Sequence, residues 1–251
     1  MEVHAHSHTA RKKWTHYLWE FLMLFLAVFC GFLAENVREH SVEKDREKAY
    51  MKNMLEDLKS DTMAYKKYAR DKVFVYDVID SLVYLLKNPE RKIHTGRIYF
   101  LARILTIRTD LLYTYERTYD QMKSSGLLRL IHNQKVSDSV SYYYNSLKQI
   151  SEQNNRLSAR IDQYFLSMGK LFDAEILLKI FKEKKAPENS SIKLLTEDPL
   201  VINEVLTRAQ YLYGTISLAQ SWGLERCRTA ENLITLINKE YHLSKGTPLV
   251  K

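Results

Sequence analysis

The sequence predicts an all-α protein whose N-terminal transmembrane helix continues into an antiparallel four-helix bundle with long helices. Three observations predict this fold. Residues 14–34 are almost wholly apolar, apolar residues repeat at heptad spacing through most of the later chain, and period-two alternation flanked by turn residues is missing. The predicted parts are a basic, His-rich tail at 1–13, an anchor at 14–34, a bundle at 35–243 and a polar tail at 244–251.

The apolar stretch at 14–34 has about the length that an α-helix needs to cross a bilayer. Trp14, Tyr17 and Trp19 form an interfacial aromatic belt at its start. A buried core helix and a cleaved signal peptide are the alternatives. Phe32 interrupts the small-x-small pattern that a signal peptidase needs, so an uncleaved anchor is the better interpretation.

The orientation of the anchor follows from its basic flank. The cluster from Arg11 to Lys13 directly precedes the apolar stretch, whereas the other flank mixes basic with acidic residues. Positive charge is retained in the cytoplasm, and long domains translocate largely regardless of charge. We therefore expect a single-pass protein with a cytoplasmic tail and a periplasmic bundle.

Four helices are predicted in the bundle. The first ends at Asn88-Pro89, because proline removes a hydrogen-bond donor and disfavours helix at the residue before it. The second spans about 97–122, with Arg108 interrupting its apolar face, and the fourth spans about 200–241 after a loop at 184–199. The heptad positions of the first helix are Met51, Leu55, Leu58, Thr62, Tyr65, Ala69, Lys72, Tyr76, Ile79, Val83 and Leu86.

The third predicted helix, Val136 to Leu171, keeps strict heptad stepping, and Asn154 is the only polar residue of its seam. A single buried amide in such a seam typically fixes helix register and oligomer state at a cost in stability. The sequence therefore predicts that replacing Asn154 with leucine raises the melting temperature.

Two stretches carry a resemblance to a known family. The opening reads MEVHAHSHTARKKWTHYLWEFLMLFLAVFCGFLAENVREH, and residues 119–133 read YDQMKSSGLLRLIHN. Both resemble a family of uncharacterised single-pass membrane proteins of Bacteroidota, and the likeness extends over nearly the whole chain. The resemblance implies a helical protein anchored in the bacterial inner membrane, without a known activity.

Glu20 is the only carboxylate of the span, and ionisable residues inside membranes are functional-site hypotheses by default. One interpretation is an interfacial carboxylate that pairs with Lys13 or with His16, four residues earlier on the same face. The other is a contact or proton-handling group that faces a membrane-protein partner. Ala27 and Gly31 form a small-x-x-x-small pair that would allow two anchors to pack as a homodimer.

Metal and anion sites are weaker hypotheses. His4, His6 and His8 would bind a transition metal, but a linear arm lacks fixed geometry and a solvated tail is the competing interpretation. One candidate anion site is a backbone nest, for which a plain interhelical corner is the competing interpretation. The other is formed by basic residues on the seams, whose long side chains usually extend to the surface instead. The nest comprises Lys123, Ser124, Ser125, Gly126 and Arg129, and the seam residues are Lys72, Arg108 and Arg226.

The functional prediction is a noncatalytic, membrane-anchored scaffold or accessory interaction protein that contacts membrane lipid. The alternative is a ligand-sensing or proton-coupled subunit that acts through a membrane partner. No Ser/His/Asp, Cys/His or Glu-x-x-His arrangement is legible, so neither an enzyme nor a cofactor is expected. The net charge is +8, but basic residues alternate with acidic residues along the chain. No segment forms the basic patch that a nucleic-acid partner would need.

Overall fold

The structure is a computed structural model that describes residues 14–188 and 192–243. These residues contain α-helices, two short 3₁₀ turns and no strand, so the all-α prediction is confirmed. The helices are α1 (Trp14–Lys87), α2 (Thr95–Ile107), α3 (Arg117–Ser124), α4 (Gln134–Leu171), α5 (Ala174–Glu183) and α6 (Pro199–Glu240), with 3₁₀ turns at Arg91–His94 and Leu127–Leu130.

The chain divides into two units, Met1–Ala49 and Tyr50–Lys251. The described part of the first unit is residues 14–49 of α1, in which every side chain from 14 to 40 is exposed. Among the described residues, α1 alone is long and apolar enough to cross a membrane, and its apolar window is entirely unburied. The described chain therefore leaves the apolar side chains of this window uncovered.

The second unit is organised around residues 50–87 of α1 together with α4 and α6. Helices α4 and α6 are antiparallel, since Asn133 bonds Glu240 near one end and Lys170 pairs with Glu204 near the other. Helix α6 is also antiparallel to α1, since Tyr76 donates a hydrogen bond to Gln220 and Lys66, earlier in α1, pairs with Glu231, later in α6. The heptad positions predicted for α1 are all buried or half-buried in this unit.

Local sequence explains where α4 and α6 begin. The Asn133 side chain accepts a hydrogen bond from the backbone N–H of Val136, and that of Asp198 accepts one from Leu200 at 2.8 Å. Such N-caps satisfy backbone donors that have no partner within the helix. Pro199 occupies the first turn of α6, where its missing N–H costs nothing.

The prediction of one continuous second helix is wrong. The chain from 95 to 124, named the interrupted arm, consists of α2, a non-helical connecting segment at 108–116, and α3. The arm is antiparallel to α1, because Arg108 lies beside Lys72 and Thr118 beside Asp57. Helix α5 was not predicted either. It begins at an Asp173 cap and ends where Lys184 adopts a left-handed conformation, with φ of 57°.

Candidate binding site beside the interrupted arm

The connecting segment contains neither glycine nor proline, although it interrupts a helix. Backbone groups of an irregular segment inside a bundle must find partners other than the usual helical ones. Here several of those partners are polar side chains of α1 and α4. The resulting set of hydrogen bonds forms the back wall of the candidate site.

Two carboxylates of α1, one turn apart, bond the end of the connecting segment and the start of α3. Asp61 accepts a hydrogen bond of 2.7 Å from the N–H of Tyr115, and Asp57 accepts one of 2.8 Å from the N–H of Thr118. The N-cap residue of α3, Glu116, makes no side-chain capping bond. Asp57 therefore caps α3 from a neighbouring helix.

Asn154 and Lys72 bond the earlier part of the connecting segment. The Asn154 amide accepts a hydrogen bond from the N–H of Leu112 at 3.2 Å and donates one to its carbonyl at 2.8 Å. The Lys72 ammonium donates a hydrogen bond of 3.1 Å to the carbonyl of Arg108. Asn154 thus replaces the backbone partners that Leu112 would have in a continuous helix.

Asp61 also belongs to a buried chain of hydroxyl groups. The Tyr143 hydroxyl donates a hydrogen bond of 2.5 Å to Asp61, and the Tyr65 hydroxyl lies 3.1 Å from that of Tyr143. Burial raises the pKa of Asp61 to about 7, although the bonds from Tyr143 and Tyr115 favour the ionised form. Burial likewise raises the pKa of Tyr143 and Tyr65. Asp61 therefore titrates near neutral pH while both phenols stay protonated.

A groove of about 500 Å³ lies between α1 and the connecting segment, and we name it the Lys72 groove. Its size is within the usual range for sites that bind small molecules. Several of its apolar and aromatic lining residues are strongly exposed, including Met63 at 65% and Tyr113 at 69%. The groove is lined by Ser60, Met63, Ala64, Lys67, Tyr68, Asp71, Lys72, Asp110, Leu111, Leu112, Tyr113 and Tyr115.

Two lining residues of the Lys72 groove are buried and have unused hydrogen-bonding capacity. Lys72 is 1% exposed and Tyr68 is 7% exposed. The buried hydroxyl of Tyr68 has no hydrogen-bond partner among the described residues, and the Lys72 ammonium lies 4.7 Å from the centroid of the Tyr68 ring. Burial lowers the pKa of Lys72, and the carboxylates of Asp110 and Asp71 act in the opposite direction.

The sequence predicts that the basic residues on the seams extend to the surface. Only one of the three does so. Lys72 and Arg226 are buried, whereas the Arg108 side chain is exposed. Arg226 donates hydrogen bonds to Gln149 at 2.7 Å and to Glu225 at 3.0 Å. These three residues do not share one pocket, and only Lys72 lines the groove.

The predicted sites in the anchor lie on the exposed part of α1. Glu20 and His16 form a pair at 3.2 Å, the arrangement expected for an interfacial carboxylate. A Cβ added at Gly31 would meet no atom within 4 Å, and Ala27 is exposed, so the face proposed for dimerisation is open.

The histidines of the predicted metal site, His4, His6 and His8, lie outside the described residues. Within the described residues, no group of three potential metal ligands occurs.

The predicted anion nest lies at the C-terminal end of α3. The hydroxyls of Ser124 and Ser125 both donate to the carbonyl of Gln121, and Gly126 adopts φ of 70°. Carbonyl groups and the negative end of the helix dipole surround this corner, so its electrostatics disfavour an anion. Lys123 lies 5.9 Å from the centroid of the Tyr119 ring, and Arg129 belongs to the following 3₁₀ turn.

The sequence analysis missed Asp57, Asp61 and Tyr68. All three lie on α1 next to the predicted heptad seam, at successive spacings of three, four and seven residues that continue from Met54. Residues with that spacing lie on one side of a helix, which predicts a second buried face. Two of them are aspartates, however, and aspartate side chains are mostly exposed to solvent. The two carboxylates are buried because they bond the N–H groups of Tyr115 and Thr118, which the heptad pattern does not reveal.

Comparison with known proteins adds no further information about this site. No family model, curated protein or solved structure matches the chain.

Proposed function

We propose that the protein is a noncatalytic, membrane-anchored helical scaffold or accessory protein of the bacterial inner membrane. The observation that supports this proposal is the apolar window of α1, which is entirely exposed within the described chain. Exposed apolar area of this extent is unfavourable in water and favourable in lipid. The family resemblance of the N-terminal stretch supports the same proposal.

The polar groups of the bundle core support a noncatalytic role. Asp61 and Asn154 bond the backbone of the connecting segment, and Asp57 bonds the backbone of the first turn of α3. A catalytic carboxylate needs a free position from which to reach a substrate proton. In this bundle the same groups maintain the fold.

The orientation is proposed from the basic cluster at Arg11 to Lys13, which would hold the N-terminus in the cytoplasm. The second unit would then present its surface in the periplasm. Partners would be membrane lipid and a membrane protein or a second copy of the chain, with no nucleic acid.

Cysteine labelling tests anchoring and orientation together. Cys30 lies in the span and Cys227 is buried, so both are first replaced with serine. An impermeant maleimide is then applied to cells with a permeabilised outer membrane that carry either Glu188→Cys or the matched control Ser7→Cys. We expect Glu188→Cys to react before lysis and Ser7→Cys only after it. The reverse pattern would overturn the orientation, and release of the protein by alkaline carbonate would overturn the anchor.

A ligand-sensing subunit is the second candidate function, and the Lys72 groove favours it. A scaffold needs no groove with an incompletely bonded ammonium, whereas a sensor needs a ligand site and a membrane partner.

Glu20 is the candidate contact to that partner. We expect Glu20→Gln to leave insertion and partner recovery unchanged if the protein is a scaffold. Loss of a co-purifying membrane protein, with insertion intact, would favour the sensor.

A further inference from the structure

We propose that the Lys72 groove binds a monocarboxylate with an apolar or aromatic body. In this proposal the carboxylate meets the Lys72 ammonium and the Tyr68 hydroxyl, and the apolar body lies against Met63, Tyr113 and Tyr115. This site goes beyond the scaffold function, and it does not depend on how the chain is anchored.

The incomplete bonding of Lys72 points to an anion. An ammonium has three donors, and the described residues supply a single acceptor, the carbonyl of Arg108. Lys72 forms no ion pair within the described chain, although it is 1% exposed. A buried ammonium without a carboxylate at contact distance is costly, since Asp71 and Asp110 act on Lys72 only from farther away, and a ligand carboxylate would supply both a charge at contact distance and further acceptors.

Tyr68 supplies a second donor in the same wall of the groove. Its hydroxyl is buried without a partner, and a buried unsatisfied hydroxyl typically costs about 1–3 kcal/mol. Burial raises the pKa of this phenol, so the group remains a donor at neutral pH. A carboxylate has two oxygens and can accept from an ammonium and a phenol at once.

The charge balance of the groove favours a monoanion over a phosphate. Lys67 and Lys72 line it together with Asp71 and Asp110, so the two positive charges are matched by two negative ones. A dianion would meet repulsion from both aspartates, and no arginine fork is present among the lining residues. One carboxylate directed at the buried ammonium meets the least repulsion.

The remaining lining residues explain why the ligand should have an apolar body. Met63, Tyr113 and Tyr115 are each at least half exposed, although they are large and apolar or aromatic. Aromatic surfaces beside a few well-placed polar groups are characteristic of small-molecule sites. A body that covers these side chains removes their apolar area from water.

Calorimetry with the full-length protein in lipid nanodiscs tests the proposal. The probes are 3-phenylpropanoate, its uncharged amide, dodecanoate and inorganic phosphate. We expect both carboxylates to bind, and the amide and phosphate to bind at least tenfold more weakly. Tighter binding of dodecanoate would assign a lipid-derived acid, and tighter binding of 3-phenylpropanoate a free aromatic acid. Equal affinity for acid and amide, or no acid binding at 10 mM, would overturn the site.

Variants separate binding from folding. We expect Lys72→Met to weaken carboxylate binding at least tenfold while the protein stays folded, because methionine matches the volume of the lysine stem and removes a buried charge together with the bond to Arg108. Tyr68→Phe should weaken binding severalfold. Lys52→Met, an exposed lysine of the same helix outside the groove, is the matched control and should bind normally. Undiminished binding by Lys72→Met would overturn the proposal. If Lys72→Met fails to fold, Tyr68→Phe decides, and undiminished binding by it would overturn the proposal.

Discussion

The hydroxyl of Tyr143 on α4 donates a hydrogen bond of 2.5 Å to the buried carboxylate of Asp61 on α1. The same carboxylate accepts from the N–H of Tyr115 at 2.7 Å. One residue therefore joins α1, α4 and the connecting segment. The protonation state of Asp61 consequently affects three elements of the bundle at once.

The first prediction concerns the pH dependence of stability. Because the pKa of Asp61 rises from 3.8 to about 7 on folding, the folded state binds more protons between these pH values. The free energy of unfolding should therefore fall as pH rises through this window, by at most about 1.4 kcal/mol per pH unit. The contribution is complete below pH 3.8 and lost above pH 7.

Asp61→Asn removes this titration and retains an amide that can bond Tyr115 and Tyr143. We expect its stability relative to wild type to increase by about 2 kcal/mol between pH 5 and pH 8, measured by urea unfolding with circular dichroism. Asp162→Asn, an exposed site on α4, serves as the control. Parallel stability curves for Asp61→Asn and wild type would contradict the prediction.

The second prediction reverses the expectation that the sequence gives for Asn154. Because its amide bonds both backbone groups of buried Leu112, Asn154→Ala should lower the free energy of unfolding by about 2 kcal/mol. The neighbouring Asn155 is exposed, so Asn155→Ala should be nearly neutral. Chemical denaturation of both variants provides the comparison. Equal stability of the two would remove the assigned role of Asn154.

The third prediction concerns the cap that Asp57 provides for α3. Asp57→Ala leaves the N–H of Thr118 without an acceptor and should destabilise the protein by about 1–2 kcal/mol. Asp57→Asn keeps an acceptor oxygen and should retain most of the stability. Thermal unfolding distinguishes them. If both substitutions cost the same, the charge rather than the capping bond would be the important property.

The fourth prediction compares two glycines of α6. A Cβ at Gly223 would approach Leu112 to 2.9 Å, whereas a Cβ at Gly214 would meet no atom within 4 Å. Replacing a helical glycine with alanine is ordinarily stabilising by about 1 kcal/mol. Gly214→Ala should show that gain in the melting temperature. Gly223→Ala should gain less or destabilise, because Asn154 limits how far Leu112 can move.

The long helices were predictable because their periodicity is local information. The seam from Met51 to Leu86 and that from Val136 to Leu171 can be counted directly in the sequence. The break after Ile107 was not predictable, since no glycine or proline marks it. Its backbone partners Asp57 and Asn154 lie 61 and 42 residues from the groups that they bond.

The candidate site was only partly predictable for the same reason. Lys72 was recognised as a basic residue on a seam, but the usual tendency of lysine to reach solvent predicted an exposed ammonium. Tyr68 and Asp61 lie on a stripe with helical spacing, but the carboxylates within that stripe indicated solvent exposure. Their burial depends on the path of the connecting segment, which period-based analysis does not describe.

The dependence of the connecting segment on α4 has a consequence for the order of folding. Residues 108–116 are synthesised before Asn154, so the side chain that bonds both backbone groups of Leu112 is added to the chain later than the segment itself. Helix α1 alone can supply Asp61 and Lys72, but Leu112 gains the partner of its N–H and carbonyl only once α4 has packed. The amide protons of Leu112 and Tyr115 should therefore gain protection from solvent exchange among the last in the bundle, and exchange in the native state should require α1 and α4 to separate from the segment.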